Sequence, residues 1–430
     1  MHVYFSGVGG TAIGPLALIA HKAGFDVSGS DKQHSLYIDY LAKHGVTNVH
    51  IGQSYEQIAE AHAARPIDWF VYTSALPIEN PDAPELKFCA DNGIKATKRD
   101  DFLNQLLAEK QLKLIAIAGT HGKTTTTAMA IWLFKQLGLP ISYSVGAKMS
   151  FGEMGEYNPD SEYFVYEADE FDRNFLAFHP HLSLITGIDW DHPDIYPTRE
   201  SYNQAFEQYF SQSQSTILWR NDANYLNLQP AASETILEQD DQYLAQLTLP
   251  GLVNRQDALL VVKGVAQLTG KSIETLVAHM NRFPGVARRF EQIGTNLYSD
   301  YAHTPPKIKG ALQLAHEIAG DNVVVVYEGL HNTRQHFIKE DLKNLFDEVK
   351  QLYIVPSYLA REDPNLKLLT PADLKDLLSH EAQSHASPAQ LDESLAANIK
   401  RHTDQGDLVL CISAGGGGSL DEWLRKEFAA

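Results

Sequence analysis

Cysteine is nearly absent from this chain: Cys89 and Cys411 are the only two among 430 residues. A disulfide framework is thereby excluded, and a reducing, cytoplasmic compartment is expected. Positive charge is also scarce. The 35 Lys and Arg against 54 Asp and Glu leave a net charge of −19, which argues against a nucleic-acid partner, whose phosphates require a basic face. No apolar run approaches the roughly 18 residues of a membrane span, and Met1-His2-Val3-Tyr4-Phe5 enters a strand pattern without a basic n-region or cleavage site. No membrane association is expected. Coiled-coil heptads, low-complexity tracts and short-period repeats are missing as well. What is present is 44% hydrophobic and 10% aromatic residues, enough for sizeable cores, and a length that predicts about three domains.

The most informative stretch is KLIAIAGTHGKTTTT, residues 113–127. Leu114 to Ala118 form a short apolar run, read as a buried parallel strand. Gly119-Thr120-His121-Gly122-Lys123-Thr124-Thr125 follows as a turn entering a helix that Gly138 closes. Strand, glycine turn and helix are the context of a phosphate loop: backbone N–H groups and the helix dipole face the anion, Lys123 neutralises it, and the Thr124 hydroxyl can hold Mg²⁺. The strict motif would place glycine where Ile117 stands. A nucleoside-triphosphate site is expected, with Mg²⁺ beside it; the resemblance described below implies that the triphosphate is ATP.

Around this loop the chain reads as three α/β domains in series. Residues 1–107 open with a strand, then Gly7, Gly9 and Ala12 in G-x-G-x-x-A spacing, a helix, and a second strand leading to Asp31. That is a Rossmann-like unit, with a helix N-terminus for a pyrophosphate and Asp31 placed to meet a ribose; the same residues also suit a plain tight turn. Ser74 lies at the carboxyl end of a later strand. Residues 108–290 carry the phosphate loop on a mostly parallel sheet. Two further strands there end in acids: Glu167, Asp169 and Glu170 after one, Asp189, Asp191 and His192 after the other. Ligands gather beyond strand carboxyl ends in such sheets, so one crevice is expected to collect them. Residues 211–243 look like a surface connection with a short hairpin. RFPGVARRFEQIGTN marks the next boundary, and residues 291–430 alternate strand and helix again in a Rossmann-like pattern.

GTHGKTTTT, YEADEFD, IDWDHPD, PGVARRFE and DYAHTPP, in this order and spacing, resemble the Mur ligase family, and SGVGGTAIGPLA with SGSD resembles its members that act on UDP-N-acetylmuramate. The resemblance implies a UDP-sugar domain, a central ATPase domain and a C-terminal domain that closes over an amino acid. It implies ADP-forming amide synthesis through an acyl phosphate, in peptidoglycan precursor synthesis; a monomer or weak dimer is expected. By the match, Lys123 contacts the β- and γ-phosphates, Thr124 and Glu167 hold one Mg²⁺, and His192 is a ligand of a second. Asn254 corresponds to the adenine contact, Arg289 to an arginine reaching the nucleotide, and Asp300 to a ribose contact. Gly9, Gly10, Asp31 and Ser74 fall on positions that bind UDP.

Tyr301, His303 and Arg334 are candidates for the incoming amine, because an arginine after a strand can hold an α-carboxylate bidentately. A small amino acid, L-alanine first, is expected; the alternative is the whole tripeptide L-Ala-γ-D-Glu-meso-diaminopimelate. Glu328, Asn332-Thr333 and SAGGGGSL lean toward the tripeptide pattern, and Leu330 stands where single-residue ligases carry histidine. Gly187 and Val253 replace a usual asparagine and histidine, and His303-Thr304-Pro305 replaces a His-His-Pro. Several relatives use a carbamylated lysine after the Asp-His motif. No lysine occurs between Lys148 and Lys263, so that device is excluded. Folate polyglutamylation and dinucleotide binding are rivals on similar folds, disfavoured by the UDP-type first domain and by the missing second dehydrogenase signature. A non-catalytic nucleotide binder is disfavoured by the joint presence of Lys123, Thr124, Glu167 and His192.

Overall fold

The structure is a computed structural model that describes residues 1–191, 195–229, 231–359 and 362–428. It divides into two compact units: Met1–Leu247 with Gln256–Phe283, and Thr248–Arg255 with the chain from Pro284 onward.

The first unit holds two sheets. In one, β1 (His2–Ser6), β2 (Asp26–Asp31), β3 (Val49–Ile51), β4 (Trp69–Tyr72) and β5 (Lys95–Lys98) lie in the order β3-β2-β1-β4-β5, with every pair parallel. This is the Rossmann-like arrangement expected, and the order reverses between β1 and β4, where such sheets open a ligand crevice. All five residues of β1 are buried, because a parallel sheet covered on both faces requires a continuous apolar strand rather than an alternating one.

The second sheet contains β6 (Lys113–Ala118), β7 (Ser142–Ser144), β8 (Gly155–Glu156), β9 (Tyr163–Glu167), β10 (Leu182–Ile185), β11 (Thr216–Trp219) and β12 (Glu234–Leu237), ordered β12-β11-β10-β6-β9-β7-β8. The phosphate-loop strand β6 sits centrally, between the two strands with acidic ends. One expectation is corrected here. Among the described residues, 211–243 form no hairpin; β12 pairs parallel to β11 after the short helix Arg220–Tyr225, whose crossover returns the chain to the same edge.

The connector between these sheets is the helix Arg99–Glu109. Its apolar residues Phe102, Leu103, Leu106 and Leu107 are buried, and Phe102 packs edge-on against Phe5 at 5.1 Å and Trp69 at 5.3 Å. One continuous core therefore runs from Val3 through Phe102 and Leu106 to Phe175 and Tyr209. Those two sheets are fused by packing, although each has its own topology.

The second unit has β13 (Glu291–Gly294), β14 (Leu297–Asp300), β15 (Val323–Leu330), β16 (Gln351–Tyr358), β17 (Ala386–Pro388) and β18 (Leu408–Ile412), ordered β13-β14-β18-β15-β16-β17. Among the described strands of this sheet, only β13 runs antiparallel to its neighbour. Central β15, VVVVYEGL, is buried from Val323 to Gly329, again the signature of a strand covered on both faces. The helix Leu252–Thr269 starts in the segment grouped with this unit and continues into the other. Among the described residues, no helix is long and apolar enough to cross a membrane.

Candidate functional site

The loop after β6 is a phosphate loop in geometry as well as in sequence. Gly119 has φ +135° and Gly122 φ +76°, values that an L side chain rarely adopts. Gly122 caps the helix Lys123–Gln136, so its first-turn N–H groups, which helices leave unpaired, point at the loop. The loop is strapped to the exit of β10. Thr120 N–H donates to the Gly187 carbonyl at 2.7 Å, its hydroxyl donates to the Asp189 carbonyl at 2.7 Å and meets Tyr202 Oη at 2.7 Å, and the Thr186 hydroxyl donates to the His121 carbonyl. Thr125 follows in the first helical turn.

Three expected residues converge at the ends of β6 and β9. Thr124 Oγ1 donates to Glu167 Oε2 at 3.0 Å, and Gly146 N–H donates to Glu167 Oε1 at 2.7 Å. A hydroxyl beside a carboxylate is a hard-oxygen donor set that fits Mg²⁺. Lys123 Nζ donates to the Gly119 carbonyl at 2.7 Å and to Glu170 Oε2 at 2.5 Å, with Asp169 Oδ1 at 3.9 Å. Burial alone would lower the Lys123 pKa, but Glu170, Asp169 and Glu167 outweigh it and raise the ammonium above the ordinary lysine range. His192 lies outside the described residues. Among the described residues, no group of three or more His, Cys, Asp or Glu has metal-holding geometry.

The acidic edge is also met by cations from the connector. Arg99 Nη2 lies 3.8 Å from Asp169, and Lys98 pairs with Asp172. Behind the loop, Asp257 is 2% exposed, and burial pushes its carboxyl well above the usual range.

At the first sheet, Gly9 N–H donates to Asp31 Oδ2 at 2.8 Å, and Gly10 N–H donates to the Gly7 carbonyl at 3.1 Å. Asp31 thus braces the glycine turn that it was expected to accompany. A Cβ on Gly9 would stand 2.7 Å from Ser35 Oγ and 2.9 Å from Asp31 Oδ2, so a larger residue would have to displace both side chains. Ser74 follows β4, beside the reversal of strand order, but it is buried and donates to Asn174 Oδ1 at 3.0 Å. The residue that sequence reasoning missed is Glu85, 1% exposed. It accepts from Ser6 Oγ at 2.6 Å, Ser30 Oγ at 2.5 Å and Tyr4 Oη at 3.2 Å, tying the ends of β1 and β2 together. Ser6 in turn accepts from Gln53 Nε2 at 2.7 Å.

The second unit brings Arg289, Asp300, Tyr301 and His303 together. The Arg288 and Arg289 guanidinium carbons lie 4.6 Å and 4.7 Å from the Tyr301 ring centre, within cation–π range. His303 Nδ1 is 3.0 Å from the Tyr301 carbonyl. Asp300 uses both oxygens on backbone, accepting from Phe290 N–H and Ala302 N–H at 2.7 Å each. Burial raises its pKa and Arg289 opposes the rise. Asn254 is in the first turn of Leu252–Thr269, where its Nδ2 donates to the Pro250 carbonyl at 2.8 Å; neighbouring Val253 is 43% exposed. Arg334 is in the first turn of the helix Asn332–Leu342. That turn is held by Thr333 N–H donating to Glu362 Oε2 at 2.9 Å. Glu328, buried, accepts from Ser413 Oγ at 2.5 Å and Leu420 N–H at 2.9 Å, closing the Gly415–Gly418 loop from below.

Three family models match the chain in succession: Mur ligase family, catalytic domain, over residues 2–111; Mur ligase middle domain over 117–239; and Mur ligase, glutamate ligase domain, over 288–415. The UDP-N-acetylmuramate–L-alanine ligase of Thermosynechococcus vestitus is 30% identical, with 96% of this chain and 92% of that protein covered. The protein of the same name from Agathobacter rectalis is 28% identical over 99% and 98%. Among solved structures, UDP-N-acetylmuramate–alanine ligase MurC from Thermotoga maritima shares the fold with a TM-score of 0.75 at 22% identity, covering 99% of this chain and 98% of that one. A murein peptide ligase from Psychrobacter arcticus gives 0.66 at 21% identity over 100% and 99%.

Proposed function

The chain belongs to the Mur ligase family, and on that premise we propose that it is an ADP-forming ligase joining L-alanine to the carboxylate of UDP-N-acetylmuramate. The observation that carries this reading is the meeting of Lys123 and Thr124 of a phosphate loop with the acids at the end of β9, Glu167 and Glu170, in a chain aligned over nearly its whole length with ligases of that name.

In this reading the loop N–H groups and Lys123 bind the ATP phosphates. The muramate carboxylate attacks the γ-phosphoryl group and ADP leaves. The amine of the amino acid then attacks the resulting acyl phosphate, loses a proton and expels inorganic phosphate. Little covalent chemistry falls to the protein, so catalysis rests on positioning and on charge stabilisation. Lys123 stays cationic beside the transferring group, and the straps from Thr120 and Thr186 keep the loop in one shape. Thr124 and Glu167 would hold Mg²⁺, which supplies Lewis-acid stabilisation of phosphoryl oxygens. Asp31 and the Glu85 network hold the first glycine turn in a form that can receive a pyrophosphate. Asn254 would serve the adenine, Arg289 and Asp300 the remainder of the nucleotide, and Tyr301, His303 and Arg334 the amino acid.

Phosphate release tests the proposal. ATP, UDP-N-acetylmuramate and L-alanine together should give sustained release, and omission of any one should stop it. A higher kcat/KM with L-Ala-γ-D-Glu-meso-diaminopimelate than with L-alanine would replace this reading with tripeptide ligation. No release with either amine would overturn both.

A further inference from the structure

The glutamate at position 170 takes no part in the bond changes of the proposed reaction, yet it makes the closest contact to the lysine of the phosphate loop. Its side chain is 2% exposed, and its Oε2 accepts from Lys123 Nζ at 2.5 Å. Its own backbone is pinned, because Tyr196 Oη donates to the Glu170 carbonyl at 2.6 Å and Arg173 N–H donates to the same carbonyl at 3.0 Å. Tyr196 is fully buried and packs edge-on against Tyr202 at 4.9 Å, and Tyr202 touches Thr120 of the loop. The chain then turns through two consecutive left-handed residues, Asp172 at φ 52° and Arg173 at φ 56°. Such backbone is held only where its surroundings over-determine it.

We infer that Glu170 is a positioning residue for phosphoryl transfer: it fixes the Lys123 ammonium in one geometry by pairing with it from a rigid, buried wall. An ammonium has three donors. Two are committed, to the Gly119 carbonyl and to Glu170, and these two bonds define the direction of the third. Lysine is a flexible point charge whose four-carbon stem would otherwise sample many rotamers. Asp169 is 3.9 Å from Nζ and is shared with Arg99, so it cannot provide the same constraint. The carboxylate acts through Lys123 and need not touch the nucleotide.

The inference rests on the phosphate-loop reading, and a double-mutant cycle separates the two. Lys123→Ala, Glu170→Gln and the double variant are compared with wild type in labelled-phosphate release with ATP, UDP-N-acetylmuramate and L-alanine. Rates are normalised to folded protein by thermal melting. Glu170→Gln keeps volume and an acceptor oxygen but removes the charge. It should lower kcat about 10–100-fold, the scale of a misplaced catalytic group, with ATP KM changed less than about threefold. Lys123→Ala should lose at least about 100-fold. The double variant should match Lys123→Ala within about threefold, since residues acting as a unit are not additive. If the losses multiply, or if Glu170→Gln lowers only the melting temperature while kcat per folded molecule is unchanged, the inference is overturned. Should Glu170→Gln not fold, Glu170→Asp, which keeps the charge, takes its place in the cycle under the same criterion. A wild type without turnover overturns the ligase reading itself.

Discussion

Replacing Gly119 with alanine should weaken the fold and the nucleotide site together, and the size of the effect follows from the surroundings of one carbon atom. At φ +135° a side chain is strained wherever it points, at a cost of about 1–3 kcal/mol. The new methyl would stand 2.6 Å from Thr186 Oγ1 and 2.9 Å from the Gly187 carbonyl oxygen. The second of these is backbone and cannot rotate away. Relief requires the loop to separate from the exit of β10, which breaks the 2.7 Å bond from Thr120 N–H to Gly187, worth about 1 kcal/mol. The sum is about 2–4 kcal/mol, on the order of 3–7 °C in melting temperature for a unit of this size. Gly138→Ala is the matched control. It has φ +65° with nothing within 4 Å of the added methyl, so only the left-handed strain of about 1 kcal/mol remains. Thermal melting and ATP KM are measured on both. Gly119→Ala should melt well below Gly138→Ala and show a raised ATP KM. Equal melting temperatures with an unchanged KM would refute the claim that contact with the β10 exit shapes this loop.

Glu167→Gln should raise the Mg²⁺ concentration for half-maximal activity at least about tenfold, because it removes the charged member of a hard-oxygen pair; overlapping metal titrations would make Glu167 structural. Activity should be indifferent to added bicarbonate after CO₂ stripping, since no lysine lies between Lys148 and Lys263 to be carbamylated, and restoration by bicarbonate would count against that reading. Asp222 is buried and its carboxyl is pushed up to about 6 from 3.8 by burial, against hydrogen bonds from Ile188 and Trp219 N–H. The folded state therefore binds this proton more tightly than the unfolded chain. Its contribution to stability is full below about pH 4 and falls, by roughly 3 kcal/mol, as pH rises through about 6. Denaturant unfolding from pH 4 to 7 should show a shallower decline for Asp222→Asn, and parallel curves for variant and wild type would exclude it.

The parts of the site carried by contiguous motifs were legible in the sequence. Strand, glycine turn and helix around Lys123 are local, and their hydrogen bonds lie within or beside the motif. The pairing of Thr124 with Glu167 was reachable because Thr124 opens the helix after β6 and Glu167 ends β9, its parallel neighbour. The mostly parallel α/β character of the sheets followed from the βα alternation, but the strand orders did not, and β12 was read as part of a surface connection with a hairpin, since a four-residue strand amid polar residues carries little periodicity. What could not be read were side chains recruited across long sequence separations. Glu85 meets Ser6 and Ser30 from 79 and 55 residues away, and nothing in PELKFCAD distinguishes it from a solvated helix glutamate. Glu170 had a faint signal, the acidic doublet of EADE, but its partner is set by a left-handed turn that no propensity foretells. Asp300 was expected to meet a ribose; that its two oxygens also accept the Phe290 and Ala302 N–H groups is a contact that no sequence pattern announces.

The central claim is that a carboxylate is activated by phosphorylation before the amine arrives. UDP-N-acetylmuramate labelled with heavy oxygen in its carboxylate tests it directly. After turnover with ATP and L-alanine, mass analysis of the inorganic phosphate should show one labelled oxygen transferred per amide formed, because the oxygen that attacks the γ-phosphoryl group leaves with it. Phosphate free of label, with the amide product formed, would contradict the account.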